Sequence, residues 1–374
     1  MAADPPLTLG IDARAAAEVP AGRGRVVREL LVALPRLPEA AGVRLRLYAR
    51  EPWAGAPADP ALQWVPVGLP DPLWHLATAR RATRECDAFL STNSYLTAWF
   101  TRVPTVVVVH DLVAFIEGAS AQSRAARIER ATIARAMRRA AGLQCVSDAT
   151  RTDLVARFPD VAPRAFTVPL AADARFREAG ADPAVLARHG LQPQRYVLAV
   201  GTLEPRKNLP RLIAAWTQVD DVVRRDAVLA LVGPRGWDDD TTLAAARATG
   251  SVRLLGHVPE DELPSLYAGC ACFAYPSLYE GFGLPVLEAM AAGAPVVTSS
   301  VSSLPEVAAD AALLVDPRDA PAITSALERV LADPALADDL RARGRARAAT
   351  FSWERFAAAT LAHLRAVIGP PPPR

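Results

Sequence analysis

Short apolar runs recur along this 374-residue chain in two series of six, and between them lie stretches with the spacing of amphipathic helices. The first series is 7–11, 44–48, 88–90, 105–109, 142–146 and 165–168, with helical segments at 24–34 and 124–140. The second is 196–200, 227–232, 252–255, 272–275, 295–298 and 312–315. Apolar runs that alternate with helices are the signature of a parallel sheet wound with helices on both faces. Two such series exceed what one hydrophobic core holds. The expected fold class is therefore α/β, with two Rossmann-like domains. Segment 169–193 is rich in Ala, Asp and Pro and poor in periodicity, and reads as the hinge between them. The proline tail 370–373 reads as a disordered end.

Composition narrows the function classes. With 51% hydrophobic residues there is ample core, and a net charge of +2 gives no overall field for nucleic acid. No apolar run approaches the roughly 20 residues of a membrane span, and no signal segment is read at the start, so a cytoplasmic protein is expected. Cys86, Cys145, Cys270 and Cys272 lack metal-ligand spacing and are expected to be buried, reduced thiols. The acidic run Asp238-Asp239-Asp240 reads as a solvated loop.

The run from Tyr279 to Gly293 concentrates the chemistry. Pro285 suits the first position of a helix and Gly293 the left-handed residue that ends one. Gly281 and Gly283 then precede a helix N-terminus, where uncommitted N–H groups attract anions and polar oxygens. Glu280 falls in the turn and Glu288 inside the helix, so two acceptor-only carboxylates stand beside a bed of donors. That combination suits a polyhydroxylated ligand carrying phosphate.

Glu280 and Glu288 are separated by seven residues. With Pro276-Ser277, Gly281-Phe282-Gly283-Leu284-Pro285, Gly293-Ala294-Pro295-Val296-Val297 and Leu304-Pro305-Glu306, they resemble the E-x7-E group of retaining, nucleotide-sugar-dependent glycosyltransferases of the GT-B fold, known as family four. The resemblance implies two Rossmann-like domains facing a cleft. An acceptor domain would span residues 1–172 and a donor domain residues 185–348. A C-terminal helix, 349–369, would cross back to the first domain from Phe351-Ser352-Trp353-Glu354-Arg355-Phe356.

The second domain's other motif, Gly201-Thr202-Leu203-Glu204-Pro205-Arg206-Lys207-Asn208, follows its first strand, where ligands of open α/β sheets bind. Arg206 offers a planar fork and Lys207 a mobile point charge, a pair suited to diphosphate. The resemblance implies that they hold the donor diphosphate and stabilise the leaving nucleotide with no metal and no other cofactor. It implies further that Glu288 accepts from the ribose hydroxyls and Glu280 from a sugar hydroxyl. The N–H groups of Phe282, Gly283 and Leu284 would contact sugar or phosphate. Leu255-Gly256-His257-Val258 would lie where the base docks, with His257 structural or stacked on it.

In the first domain, the strand Val106-Val107-Val108-Val109 ends on His110-Asp111. By the resemblance His110 contacts the donor sugar near its anomeric carbon, while Asp111 either orients that ring or folds back on a backbone amide. Ala21-Gly22-Arg23-Gly24-Arg25-Val26 resembles the glycine loop near phosphate and acceptor, with Arg23 and Val26 where many relatives carry an apolar residue and an aromatic. Arg124, Arg127, Arg135, Arg138 and Arg139 share one helix face opposite Ile133 and Met137. That face is either solvated or docks on an anionic membrane that presents a lipid-linked acceptor. Ser302-Ser303-Leu304-Pro305-Glu306 and His110-Asp111 most resemble mannosyltransferases of surface-polysaccharide assembly, which implies GDP-mannose as donor and a glycan or lipid-linked acceptor. Two other classes share the donor site: a GT-B epimerase or hydrolase, and a non-catalytic nucleotide-sugar-binding subunit.

Overall fold

A computed structural model describes residues 7–20, 22–116, 124–237 and 239–369. The chain divides into two compact units, Met1–Leu170 with Ser352–Arg374, and Ala171–Phe351. In the first, strands β1 (Thr8–Asp12), β2 (Arg44–Ala49), β3 (Leu62–Pro66), β4 (Ala88–Ser91), β5 (Thr105–Val109), β6 (Gly142–Cys145) and β7 (Ala165–Thr167) form one sheet in the order β3-β2-β1-β4-β5-β6-β7. In the second, β8 (Tyr196–Val200), β9 (Val228–Val232), β10 (Val252–Gly256), β11 (Cys272–Tyr275), β12 (Val296–Ser299) and β13 (Leu313–Val315) are ordered β10-β9-β8-β11-β12-β13. All pairings are parallel. Both sheets are doubly wound, as the alternation predicts. Their order reverses between β1 and β4 and between β8 and β11, and a ligand crevice opens at such switch points.

The strand cores explain the apolar runs. Every residue of β4, β5, β6, β11 and β12 is buried, because helices cover both faces. β3 escaped the sequence reading. It is an edge strand, Leu-Gln-Trp-Val-Pro, whose half-exposed pattern carries little apolar signal. The helix Trp353–Ile368 belongs to the first unit. Its Thr360 hydroxyl accepts from Gln144 Nε2 at 3.0 Å and its His363 stacks on Phe166.

Three expectations are corrected. Segment 169–193 holds the boundary between the units, after Leu170, but it is not irregular throughout. From Ala171 it is built into the second unit, with helices Ala174–Arg177 and Pro183–Arg188 that bury Phe176 and Leu186. Asp239 is not solvated: it is buried, and its carboxylate receives Arg235 at 2.9 Å, whereas Asp240 is exposed and Asp238 lies outside the described residues. Cys86 is only half-buried, beside the Tyr48 hydroxyl at 3.4 Å, while Cys145, Cys270 and Cys272 are buried and all four are free. The tail 370–373 lies outside the described residues. No helix among the described residues is long and apolar enough to cross a membrane.

Candidate functional site

Residues 73 positions apart meet at the second switch point, because β8 and β11 are neighbours and the loops leaving them lie side by side. The loop after β8 begins at Gly201, whose φ is +152°, and a Cβ there would stand 3.2 Å from Lys207 Cε. Glycine therefore lets the Lys207 side chain lie across the turn. A 3-10 turn, Pro205–Lys207, stops at Asn208, which takes the left-handed conformation that Asn tolerates. Asn208 Nδ2 donates to the carbonyls of Pro276 at 3.0 Å and Pro317 at 2.7 Å. The Leu278 N–H donates to the Arg206 carbonyl at 2.8 Å. The two loops are thus stitched together by the Asn208 amide and main-chain groups before any charge is counted.

Glu280 sits between the two cations. Its Oε1 accepts from Lys207 Nζ at 2.7 Å and its Oε2 from Arg206 Nη1 at 2.6 Å. Arg206 Nη2 also meets Glu204 at 2.6 Å, and Lys207 Nζ donates to the Tyr275 hydroxyl. Burial alone would raise the Glu280 pKa, but Arg206 and Lys207 outweigh it and hold the carboxyl at about 2. Burial and the neighbouring Arg206 lower Lys207, against Glu280. Burial lifts Tyr275 well above its ordinary value. Buried ions cost several kcal/mol each unless every donor and acceptor is matched. Here each charge has a partner of opposite sign at hydrogen-bond distance.

Just beyond the cluster the helix Leu284–Ala291 begins, with Gly283 at its N-cap (φ +105°), Pro285 at its second position rather than its first, and left-handed Gly293 after its end. The N–H groups of Phe282, Gly283 and Leu284 donate to nothing among the described residues. Ser302 and Ser303 hold the preceding turn open. Ser302 Oγ donates to the Glu280 carbonyl at 2.5 Å, and Ser303 Oγ to the Phe282 carbonyl at 2.8 Å. Glu288 is buried further along, and its Oε2 accepts from the Tyr267 hydroxyl at 3.1 Å. His257 is exposed after Gly256 and joins none of these groups.

In the first unit, His110 follows β5. Its Nε2 donates to the Thr92 carbonyl at 2.8 Å, which places the ring proton on Nε2 and leaves Nδ1 as the acceptor. Burial and nearby Arg23 outweigh that bond and Asp111, and lower its pKa to about 4. Asp111 Oδ1 accepts the Val113 N–H at 3.1 Å, so Asp111 folds back on the backbone; its Oδ2 lies 4.0 Å from Arg23. The glycine loop and the β5 terminus therefore adjoin. Gly22 is the N-cap of helix Arg23–Ala33. A Cβ on Gly24 would stand 2.6 Å from the Ala15 carbonyl and still nearer that of Val19, so a close helix approach requires this glycine.

Tyr275 was not singled out from sequence, Glu204 was quoted in its motif without a role, and the two serines were read only as part of a family motif, not as groups that bond the Glu280 and Phe282 carbonyls. Tyr275 carried a usable signal, being the polar-tipped last residue of an apolar strand. A second cluster was missed altogether: Asp12, which closes β1, and Arg14, both buried.

Both halves of the chain match glycosyltransferase families. Residues 20–176 match the family described as Glycosyltransferase Family 4, and residues 186–347 the one described as Glycosyl transferases group 1. In both halves, then, the chain is like glycosyltransferases, the first half like those of family four, and the two parallel-sheet units form a GT-B fold. Among its relatives is the Escherichia coli O-antigen chain mannosyltransferase B, 42% identical over 221 residues. That alignment covers 58% of this chain and 58% of the relative's own length. Two solved structures share the fold over 96% of this chain. Sucrose-phosphate synthase from Thermosynechococcus elongatus has a TM-score of 0.74 at 22% identity, covering 99% of that chain. Anabaena HepE, in complex with UDP and glucose, has a TM-score of 0.73 at 17% identity, covering all of that chain.

Proposed function

We propose that the chain is a retaining, metal-independent glycosyltransferase. It moves mannose from GDP-mannose to a hydroxyl of a glycan or lipid-linked acceptor in polysaccharide assembly. The observation that carries this reading is the placement of Arg206 and Lys207, clamped by Glu280, beside the uncommitted N–H groups that open helix Leu284–Ala291. A diphosphate is a polyanion with many acceptor oxygens, and this site offers two cations and main-chain donors together.

In the proposed reaction the bond between the anomeric carbon and the diphosphate oxygen breaks. The acceptor oxygen bonds to the same face of that carbon, and the acceptor proton passes to the departing phosphate. Charge develops on the leaving diphosphate, and preformed cations stabilise it without reorganising. Glu280 keeps lone pairs for a sugar hydroxyl even while it holds both cations. Glu288, fixed by Tyr267, meets the ribose. His110 is neutral and presents Nδ1 as an acceptor near the sugar. The similarity to an O-antigen mannosyltransferase supports the choice of mannose. The arginine-bearing helix Arg124–Arg139 supplies peripheral contact with anionic lipid at the inner membrane face, where a lipid-linked acceptor would be met.

The test is a screen of nucleoside-diphosphate sugars with and without excess chelator, followed by the anomeric configuration of any product. Release of GDP from GDP-mannose in chelator, with an α-linked product, is expected. Turnover that vanishes in chelator and returns with magnesium would remove the metal-independent assignment. Release confined to another nucleotide would replace the donor.

A further inference from the structure

The switch point of the first sheet carries a charged network that the donor chemistry does not use. β1 ends on buried Asp12, and buried Arg14 follows. Arg14 Nε and Nη2 each lie 3.3 Å from an Asp12 carboxylate oxygen, and Nη1 lies 3.1 Å from Asp71 Oδ1. The guanidinium rests 3.7 Å above the ring of buried Trp74. The same Asp71 oxygen also lies 3.2 Å from Arg50 Nη2 and 3.5 Å from Nε2 of buried His75. Asp71 is itself 53% exposed, and its Oδ2 has no partner among the described residues.

Arg14 thus bonds one oxygen of the carboxylate, Arg50 and His75 crowd the same oxygen, and the other is left uncommitted. A network that only tied β1 to the helix Leu73–Glu85 would gain nothing from exposing its terminal carboxylate, since well-packed apolar residues replace such networks at little cost. An ionised carboxylate only accepts, so it selects O–H or N–H donors. Leu69 and Leu73, exposed on either side of Asp71 in the chain, offer the apolar surface that the C–H face of a sugar ring needs. The position is also connected to the candidate site. Thr92 Oγ1 donates to the Asp12 carbonyl at 2.5 Å, and the Thr92 carbonyl is the group that holds His110. β4 alone separates β1 from β5, so two strand spacings, about 10 Å, divide Asp12 from the end of His110's strand.

We propose that Asp71, held by Arg14, Arg50 and His75, accepts a hydrogen bond from a hydroxyl of the acceptor glycan's terminal sugar. This assigns the acceptor subsite to the β1–β4 switch point, and it rests on the transferase reading given above. Asp71 is a substrate-binding residue; Arg14 and His75 are positioning residues that act through it.

The experiment measures transfer from GDP-mannose to octyl α-mannoside by the wild type, Asp71→Asn and Asp71→Glu. Loss of one charged hydrogen bond should raise the acceptor KM of Asp71→Asn by about ten- to a hundredfold. The donor KM should move by less than about twofold, and Asp71→Glu should recover part of the loss. A purely structural carboxylate would instead lower Tm and kcat together with both KM values unmoved, and that result overturns the proposal. So does a wild type that hydrolyses GDP-mannose yet transfers nothing to octyl α-mannoside. A wild type that turns over no nucleotide sugar overturns the transferase reading itself.

Discussion

The two sheets are wound in the same order, and each places a charged cluster at its switch point, but the clusters are built in opposite senses. In the second unit a carboxylate, Glu280, is buried between Arg206 and Lys207. In the first, an arginine, Arg14, is buried between Asp12 and Asp71. The members that reach solvent differ in sign accordingly. Arg206 is the most exposed of its group at 21%, and Asp71 of its group at 53%. One topology thus presents a cation and main-chain donors at one switch point, which suits phosphate, and a bare acceptor at the other, which suits hydroxyls. Fold fixes where ligands bind, and the sign of the exposed charge decides which ligand.

The largest effect that would break this contrast is expected at the cations. Lys207→Ala and Arg206→Ala remove charge that matters most as the diphosphate departs, so kcat should fall by about a hundredfold or more with donor KM changed far less. An unchanged kcat in either variant would move the diphosphate elsewhere. Next in size is Glu288→Ala. In the proposed reaction Glu288 meets the ribose away from the breaking bond, so on that reading donor KM should rise while kcat holds, by the equivalent of roughly 1.5–3 kcal/mol for a charged hydrogen bond. If Glu288→Ala abolished kcat while Lys207→Ala spared it, the donor would lie the other way round.

What the sequence made legible was what local patterns encode. The apolar runs gave both sheets except edge strand β3, and Gly283 and Gly293 marked the ends of one helix because only glycine readily takes their φ of +105° and +76°. Arg206, Lys207 and Glu280 were singled out by motif, but their mutual ion pairs were not expected, since that geometry depends on β8 and β11 lying side by side. The Asp12, Arg14, Asp71 and His75 network was invisible for the same reason. Its members come from the end of β1, the connection after β3 and a helix beyond it, 57 residues apart at the Arg14–Asp71 contact. No spacing rule joins such positions; only the strand order does. Asp111 left two readings open, and the Val113 N–H decided between them.

Acid should separate the two units by a smaller margin. His75 and His110, both in the first unit, are lowered by burial from 6.5 to about 4. The unfolded chain therefore takes up their protons first, and the stability they protect is present above 6.5 and drains away as pH falls toward 4. Glu280 in the second unit has the opposite origin but the same slope: its carboxyl, held at about 2 against an ordinary 4.5, contributes fully above 4.5 and fades only below it. Hydrogen exchange at about pH 7 and about pH 5 should show amide protection falling in Met1–Leu170 while Ala171–Phe351 holds. Earlier loss in the second unit would mean that the buried histidines do not control acid stability.

The smallest expected effect concerns the arginine face. The side chain of Arg124 lies outside the described residues, and Arg127, Arg135, Arg138 and Arg139 are exposed over buried Ile133 and Met137. Two of these four are engaged within the unit. Arg135 rests 5.0 Å from the Trp99 ring centre, and Arg139 Nη2 donates to the Thr101 carbonyl at 3.2 Å. Arg127 and Arg138 are thus the cleaner probes, because changing them disturbs neither contact. Each basic residue near an anionic surface is worth about 1 kcal/mol. Reversing both to glutamate should therefore weaken binding to phosphatidylserine vesicles by more than tenfold, and high salt should erase the difference between variant and wild type. If both proteins bind such vesicles equally at low salt, the face is a solvated surface only. The contrast between the cation-bearing and carboxylate-bearing switch points would then stand without a membrane to present the acceptor.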